Sequence, residues 1–101
     1  MSQMPTWEGF LRYSLLALQD GVVRGRQEVN TVVATEAKLT TEQMDEMLSS
    51  GQPKYANRIG WAISFLANVG ALDRPKRGHY LITDAGRAVL ARTSTDLVER
   101  D

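Results

Sequence analysis

The fold is decided by residues 53–82, PKYANRIGWAISFLANVGALDRPKRGHYLI. The first part of this stretch predicts a helix over residues 53–69, because its apolar residues recur at intervals of three and four and form one stripe. That stripe comprises Tyr55, Ile59, Ala62, Ile63, Leu66 and Val69. Pro53 suits a first helical turn, where its missing N–H costs nothing. Gly70 stands where a left-handed residue ends a helix.

The opposite face of this helix has an unusual composition. No Asp or Glu occurs over residues 54–72, whereas a solvent-exposed helix face usually carries Glu and Lys. The polar and small residues on this face, together with those at its edge, are Asn57, Gly60, Ser64 and Asn68, then Lys54 and Trp61. Amides, a hydroxyl and cations without carboxylates favour close approach to a polyanion.

A short hairpin with a cationic turn follows the helix. Residues 71–74 and 79–82 predict two strands, and Pro75 and Gly78 supply the turn geometry between them. The turn carries Arg74, Lys76 and Arg77, which are well placed to contact phosphates.

The remaining segments predict a mostly helical scaffold. Helices are expected over residues 6–19, with Thr6 as N-cap, and over residues 26–38. A small helix starts at Thr40, which has capping-box spacing to Gln43, and a last helix starts after residue 83 or 84. Residues 22–25 predict a third strand beside the hairpin. The apolar residues expected to pack from these helices are Trp7, Phe10, Leu11, Leu15, Leu18, Val29, Val32, Val33, Ala37, Met44, Met47, Leu48, Ala85, Ala88, Val89 and Leu90.

This order of elements is typical of an α+β, mostly helical domain with the winged helix-turn-helix plan. The plan has a three-helix core, here with an additional small helix, then a short β-hairpin wing and a C-terminal helix. Residues 1–92 are expected to form this one domain. Residues 93–101 are polar and are expected to be a tail or a linker stub.

Composition indicates a single globular domain. The chain has 101 residues, no net charge and no cysteine, so disulfides and thiolate metal sites are excluded. No apolar run is long enough to span a bilayer, no signal peptide is evident, and we expect a cytoplasmic protein. Residues 51–92 carry seven Lys or Arg against two Asp or Glu, whereas residues 1–50 carry four against seven. This asymmetry favours a polyanion-binding surface on the second half.

Several short motifs resemble the N-terminal domain of Mrr-type restriction proteins. They are NRIGWA at residues 57–62, GAL at 70–72, RPKRG at 74–78, ITDAGR at 82–87 and the opening MPTW at 4–7. The resemblance covers nearly the whole chain, and its combined spacing is more specific than any one piece. Gly9 departs from the acidic residue expected at that position of the family.

The resemblance implies a DNA-binding winged helix that delivers a separate C-terminal nuclease domain to DNA, often modified DNA. That nuclease is of the Mg²⁺-dependent PD-(D/E)xK type, and the chain ends before such a domain could fit. The nuclease partner would then belong to a longer parent chain, and this chain itself is not expected to be an enzyme or to bind a cofactor.

Four residues are candidates for reading bases: Asn57, Arg58, Trp61 and Ser64. Arg recognises guanine and Asn recognises adenine by paired hydrogen bonds in the major groove. The alternatives are that Arg58 pairs with an acid from the first half, that Asn57 caps or faces water, and that Trp61 belongs to the core. The candidates for binding phosphate are Lys54, Arg74, Lys76, Arg77, His79 and Arg87.

The sequence does not predict a catalytic site. Glu36 and Lys38 spell E-x-K with Asp20 upstream, but in a helix these two side chains lie about 200° apart and cannot converge on a metal. His79 is the only histidine, and a metal site at it is not expected.

We therefore expect a targeting module of a restriction system whose partner is double-stranded DNA. Two alternatives remain open from the sequence. One is a stand-alone transcriptional regulator that binds an operator as a homodimer. The other is a winged helix used for protein docking, with the edge formed by Trp61 and Phe65 as its contact.

Overall fold

The computed structural model describes residues 5–92, which form an α+β arrangement dominated by helices. A 3-10 helix covers Glu8–Phe10, and the five α-helices are α1 (Leu11–Ala17), α2 (Arg26–Glu36), α3 (Thr41–Asp45), α4 (Lys54–Asn68) and α5 (Asp84–Arg92). The three strands are β1 (Arg24–Gly25), β2 (Leu72–Asp73) and β3 (His79–Ile82). Met4 and the expected tail over residues 93–101 lie outside the described residues. Within the described part, no helix is long and apolar enough to cross a membrane.

The strands form an antiparallel sheet in the order β1-β3-β2. Arg24 pairs with Tyr80 on one side of β3, and Leu72 pairs with Ile82 on the other. The third strand expected over residues 22–25 is therefore confirmed, although only its last two residues pair. A further backbone bond, from the N–H of Arg26 to the carbonyl of Gly78, joins the start of α2 to the hairpin.

The core lies where α1, α2 and α4 meet above the sheet. Its fully buried large side chains come from the predicted stripes: Phe10, Leu11, Leu15, Leu18, Val29, Val33, Ile59 and Ile63. Burying each such side chain contributes roughly 1.5–3 kcal/mol. Ser14 is also fully buried, and its hydroxyl donates to the carbonyl of Phe10 at 2.8 Å.

The chain start differs from the expectation. Thr6 is exposed and caps nothing, because Trp7 occupies the N-cap position of the 3-10 helix. Trp7 packs on Phe65 of α4 with ring centroids 5.6 Å apart. Gly9 lies against Pro5, since a Cβ at Gly9 would stand 2.8 Å from the Pro5 Cβ. Because Pro5 leaves no room for a Cβ at position 9, this position suits glycine.

Helix α2 ends at Glu36, two residues before the predicted end. Lys38 takes a left-handed conformation with φ 56°, and the N–H of Leu39 bonds the carbonyl of Ala34. The capping box at α3 is confirmed, because Thr40 and Gln43 exchange both bonds. Met47 is 54% exposed, so the expected apolar face of this small helix is incomplete.

Helix α4 closely matches its prediction, with two corrections at its ends. Pro53 occupies the N-cap position instead of the first turn, because its ψ of 132° is extended. Val69 is 58% exposed, since the helix ends at Asn68 and the last residue of the stripe falls outside it. Gly70 has φ 85°, as a left-handed helix end requires.

Helix α5 is capped by Thr83, whose hydroxyl accepts from the N–H of Gly86 at 3.1 Å and donates to the carbonyl of Gly70 at 2.6 Å. Ala85 and Ala88 are exposed, so their expected packing is wrong. The helix instead turns Gly86 inward, where a Cβ would overlap the carbonyl oxygen of Ala71.

Candidate nucleic-acid interface

Helix α4 presents the face that the sequence predicts to read bases, here called the reading face, which comprises Asn57, Trp61 and Ser64. Helical spacing of four and three places them on one side. Trp61 is 62% exposed, so the alternative that it belongs to the core is wrong. Asn57 and Ser64 are half-buried at its flank. The face therefore combines an exposed indole with two polar side chains.

The carboxamide of Asn57 is oriented by the segment that precedes the helix. Its Nδ2 donates to Oε1 of Gln52 at 3.2 Å. This bond leaves the Oδ1 of Asn57 without a protein donor among residues 5–92. Asn57 is thus held in place with an acceptor still available to a ligand.

Arg58 lies at the edge of α4 that faces the chain start. Its Nη1 donates to the carbonyl of Pro5 at 2.9 Å, and the contact is partly buried. Arg58 therefore fastens the first described residues to α4. Its role in base reading stays a prediction.

The side chain of Arg26, which no sequence pattern indicated as functional, reaches from α2 to α4. Arg26, the first residue of α2, donates from Nη2 to the carbonyl of Ala56 at 2.7 Å and from Nε to Oδ1 of Asn30 at 3.2 Å. Gly60 makes room for it, because a Cβ there would stand 2.9 Å from Cζ of Arg26. Arg26 and Ala56 are 30 positions apart in the sequence, so no local signal could have predicted this contact.

Arg26 and the reading face share one open depression of about 250 Å³. Its lining, here named the α2–α4 depression, is Arg26, Gln52, Asn57, Gly60, Trp61 and Ser64. None of these residues is acidic. The structure thus brings together three of the four predicted base-reading residues in this lining, which does not include Arg58.

Lys54, in the first turn of α4, is not a free cation. Its Nζ lies 3.2 Å from Oε2 of Glu46, and its side chain is 30% exposed. Residues 54–72 lack carboxylates as noted, but folding brings one to this helix from the segment after α3. Glu46 therefore partly neutralises the first turn.

The turn of the hairpin, residues 74–78, carries the exposed cations Arg74, Lys76 and Arg77. Within residues 5–92 none of the three forms an ion pair. His79 is half-buried at the base of the turn, with Nδ1 3.0 Å from the carbonyl of Arg77. The one acid beside the turn is Asp73, whose Oδ1 accepts from the N–H of Arg74.

Arg87 occupies a different part of the surface. Its Nη1 donates to the carbonyl of Gln19 at 2.8 Å, so it joins α5 to the loop after α1. Its role in phosphate binding stays a prediction.

Asp20 and Arg24 form an ion pair with two hydrogen bonds. Arg24 donates to both carboxylate oxygens of Asp20, at 2.7 and 2.9 Å, and to Glu28 at 3.0 Å. The hydrogen bonds from Arg24, helped by the N–H of Val22, lower the pKa of Asp20 to about 2. The same contact raises the pKa of Arg24.

The E-x-K residues do not converge on Asp20. Lys38 lies beyond the end of α2 in a left-handed conformation, so the assumption that it continues the helix was wrong. Glu36 and Lys38 are exposed, and Asp20 is bound by Arg24. Across residues 5–92, no group of three or more His, Asp or Glu side chains could hold a metal ion.

Comparisons with known proteins point to one family. The family described as Mrr N-terminal domain matches residues 7–92. The type IV methyl-directed restriction enzyme EcoKMrr of Escherichia coli (strain K12) is 28% identical over 102 aligned positions. The alignment covers 97% of this chain and 33% of that enzyme, so the chain spans about a third of the relative's length. No solved structure matches the chain significantly.

Proposed function

Because the chain belongs to the Mrr N-terminal domain family, we propose that it is the DNA-binding part of a restriction-system protein. The relative is described as a methyl-directed restriction enzyme. We assign the binding of duplex DNA to the part of such a protein that this chain represents. The nuclease chemistry is assigned to a separate C-terminal domain of the PD-(D/E)xK type in a longer parent chain. Both parts would act in the cytoplasm.

The proposal includes a winged helix-turn-helix fold. Helices α1, α2 and α4 share the core, α3 is the additional small helix, and β2 and β3 form the wing before α5. The sheet order β1-β3-β2 supports this plan, because the strand between α1 and α2 pairs with the second strand of the hairpin.

In the proposed mechanism, α4 enters the major groove, which is wide enough for one helix. Asn57 and Ser64 contact base edges, Trp61 packs on a base or sugar, and Arg58 reads from the helix edge. The wing turn holds the backbone through Arg74, Lys76 and Arg77, with Lys54, His79 and Arg87 as further phosphate contacts. Phosphate contacts fix register, and base contacts give the sequence preference.

One observation carries this proposal: the exposed side of α4 has no carboxylate of its own, and the same domain carries an exposed turn whose cations form no ion pair within residues 5–92. The logarithm of the affinity for a duplex should therefore fall linearly with the logarithm of the salt concentration. The double change Lys76→Ala and Arg77→Ala should weaken all sequences alike and reduce that slope by about 1.8, at about 0.9 per phosphate contact.

Fluorescence anisotropy over a salt series measures both quantities. Lys38→Asn is the matched control, because Lys38 is exposed beyond the far end of α2 and its left-handed backbone suits Asn. A salt-independent affinity, or no duplex binding at low salt, would contradict the proposal.

Base reading is tested separately by Asn57→Ala. Discrimination at one base pair should fall by roughly 1–3 kcal/mol while other positions keep theirs. A uniform loss over all sequences would assign Asn57 to the backbone. The same panel with methylated and unmethylated cytosine or adenine measures any methyl preference, and sedimentation of the complex distinguishes a monomer from a homodimer.

Protein docking is the second candidate, and the exposure of Trp61 favours it. A large exposed aromatic side chain is typical of a binding anchor, and Phe65 is half-buried on the next turn of α4. On this alternative the affinity for DNA would be weak at low salt, and Trp61→Ala would leave it unchanged.

A further inference from the structure

The guanidinium of Arg26 is held without a neutralising acid. It is half-buried between α2 and α4, and both of its anchors, Ala56 O and Asn30 Oδ1, are uncharged oxygens. None of the ion pairs described within residues 5–92 involves Arg26. A positive charge therefore remains at this place when the domain is folded.

The two anchors fix the plane of the Arg26 guanidinium and leave some of its N–H groups free to bind a ligand. Arginine offers five N–H groups in a rigid fork, and the anchors take one from Nε and one from Nη2. Nη1 has no protein acceptor in the described part of the chain. A planar donor whose orientation is already set loses little freedom when it binds an oxygen anion.

The lining of the α2–α4 depression is rich in donors. The Oε1 atom of Gln52 accepts a hydrogen bond from Asn57, so the amide N–H groups of Gln52 stay available. Ser64 adds a hydroxyl and Trp61 adds an indole N–H to the lining. No Asp or Glu lines the depression. Such a lining suits a ligand that presents acceptors, and a phosphodiester presents nothing else.

The position of Arg26 favours the backbone over base edges. Arg26 belongs to α2, so it stands beside the reading helix and not on it. When a helix lies in the major groove, the sugar-phosphate backbone forms the walls beside it.

We propose that the α2–α4 depression binds one phosphate of the DNA backbone, with Arg26 as the principal contact and Gly60 as the residue that gives it space. This inference rests on the proposed DNA-binding function and adds a phosphate site apart from the wing turn.

The test begins with Arg26→Gln in the full chain. The wild-type protein is first shown to bind a duplex with a salt-dependent affinity, which tests the proposed function by itself. Arg26→Gln should then lower the affinity roughly tenfold and reduce the salt slope by about 0.9. Arg26→Lys should keep the slope, because the charge remains, and regain part of the affinity.

A methylphosphonate scan locates the phosphate. Each duplex carries one uncharged methylphosphonate at a different position. Wild-type protein should lose affinity at several positions, and Arg26→Gln should become insensitive at one of them while it keeps the others. The same position should remain sensitive in the Lys38→Asn control.

Gly60→Ala provides a variant that removes no charge. The added Cβ must displace the guanidinium, so this variant should lose sensitivity at the same methylphosphonate position, and Gly60→Ala with Arg26→Gln should lose little more. Thermal melting checks that each variant is folded, and Gly60→Ala carries the methylphosphonate scan if Arg26→Gln does not fold.

Three results would overturn the inference. They are an unchanged salt slope in Arg26→Gln, an unchanged methylphosphonate profile, and a loss confined to particular base pairs, which would place Arg26 on a base. A failure of the wild-type protein to bind DNA would instead refute the proposed function.

Discussion

Two glycines owe their places to what lies opposite them and not to a turn. Gly60 faces the guanidinium of Arg26, and Gly86 faces the carbonyl of Ala71, with Cγ1 of Ile82 2.9 Å from the site of a Cβ. Both lie inside helices, where glycine costs roughly 0.5–1 kcal/mol relative to alanine. Close approach between elements outweighs that cost at each position.

Asp20 gives the clearest prediction for pH. Its pKa in the folded protein is about 2, below the ordinary value of 3.8, because Arg24 and the N–H of Val22 bind the charged form. A depressed pKa stabilises the fold fully above pH 3.8, and this contribution disappears as the pH falls through 2. Asp20→Asn should therefore be less stable than wild type near neutral pH and approach it at about pH 2.

Urea unfolding of both proteins between pH 2 and 7 checks this. A difference in unfolding midpoint that stays constant over the whole range would show that Asp20 acts through its shape or its hydrogen bonds and not through its charge.

At the scale of residues, the sequence predicts which side chains share a helix face, because helical spacing alone determines that. Asn57, Trp61 and Ser64 share a face because they are separated by four and three positions. The partners of Lys54, Arg26 and Arg58 were not predictable, because Glu46, Ala56 and Pro5 reach them only through the packing of separate segments. A single sequence holds no signal for such distant pairs.

The ends of the helices likewise divide into those with a local sequence signal and those without one. Ends with a local signal were predicted, as at the Thr40 capping box and at Gly70. The start of the first helix was not, because the ring of Trp7 packs against Phe65 in a tilted arrangement and sets the entry of the chain. The end of α2 was also missed, since a lysine there takes the left-handed conformation more common for glycine or asparagine.

Thr83 joins two elements, which makes it a sensitive position. Its hydroxyl caps α5 and also bonds the carbonyl of Gly70 at the exit of α4. Thr83→Val keeps the shape but removes both bonds, so the free energy of unfolding should fall by roughly 1–2 kcal/mol.

Thr83→Ser retains the hydroxyl and is the matched control, with a smaller expected loss. Urea denaturation measures all three proteins. Equal stability of the valine and wild-type proteins would mean that water replaces both bonds at no cost.

The whole molecule depends on one core shared by α1, α2 and α4. Leu15 is fully buried in it, so Leu15→Ala should lower the free energy of unfolding by roughly 2–5 kcal/mol. A domain of this size has about 5–15 kcal/mol in total, so this one change removes a large share.

Met47→Ala is the control, because Met47 is 54% exposed and should change stability by less than about 0.5 kcal/mol. Chemical denaturation of both variants provides the comparison. A loss below about 1 kcal/mol for Leu15→Ala would show that the core collapses around the missing side chain.

The pairing of β3 on both sides has a practical consequence for protein engineering. β3 is held by β1 and β2, while residues 74–77 are exposed and contribute nothing to the interior. Residues 74–77 can therefore be replaced without redesigning the rest of the domain. Cations could be added to this turn, removed from it or exchanged with those of relatives. Under the proposed function, the strength of phosphate binding could then be changed without changing base recognition.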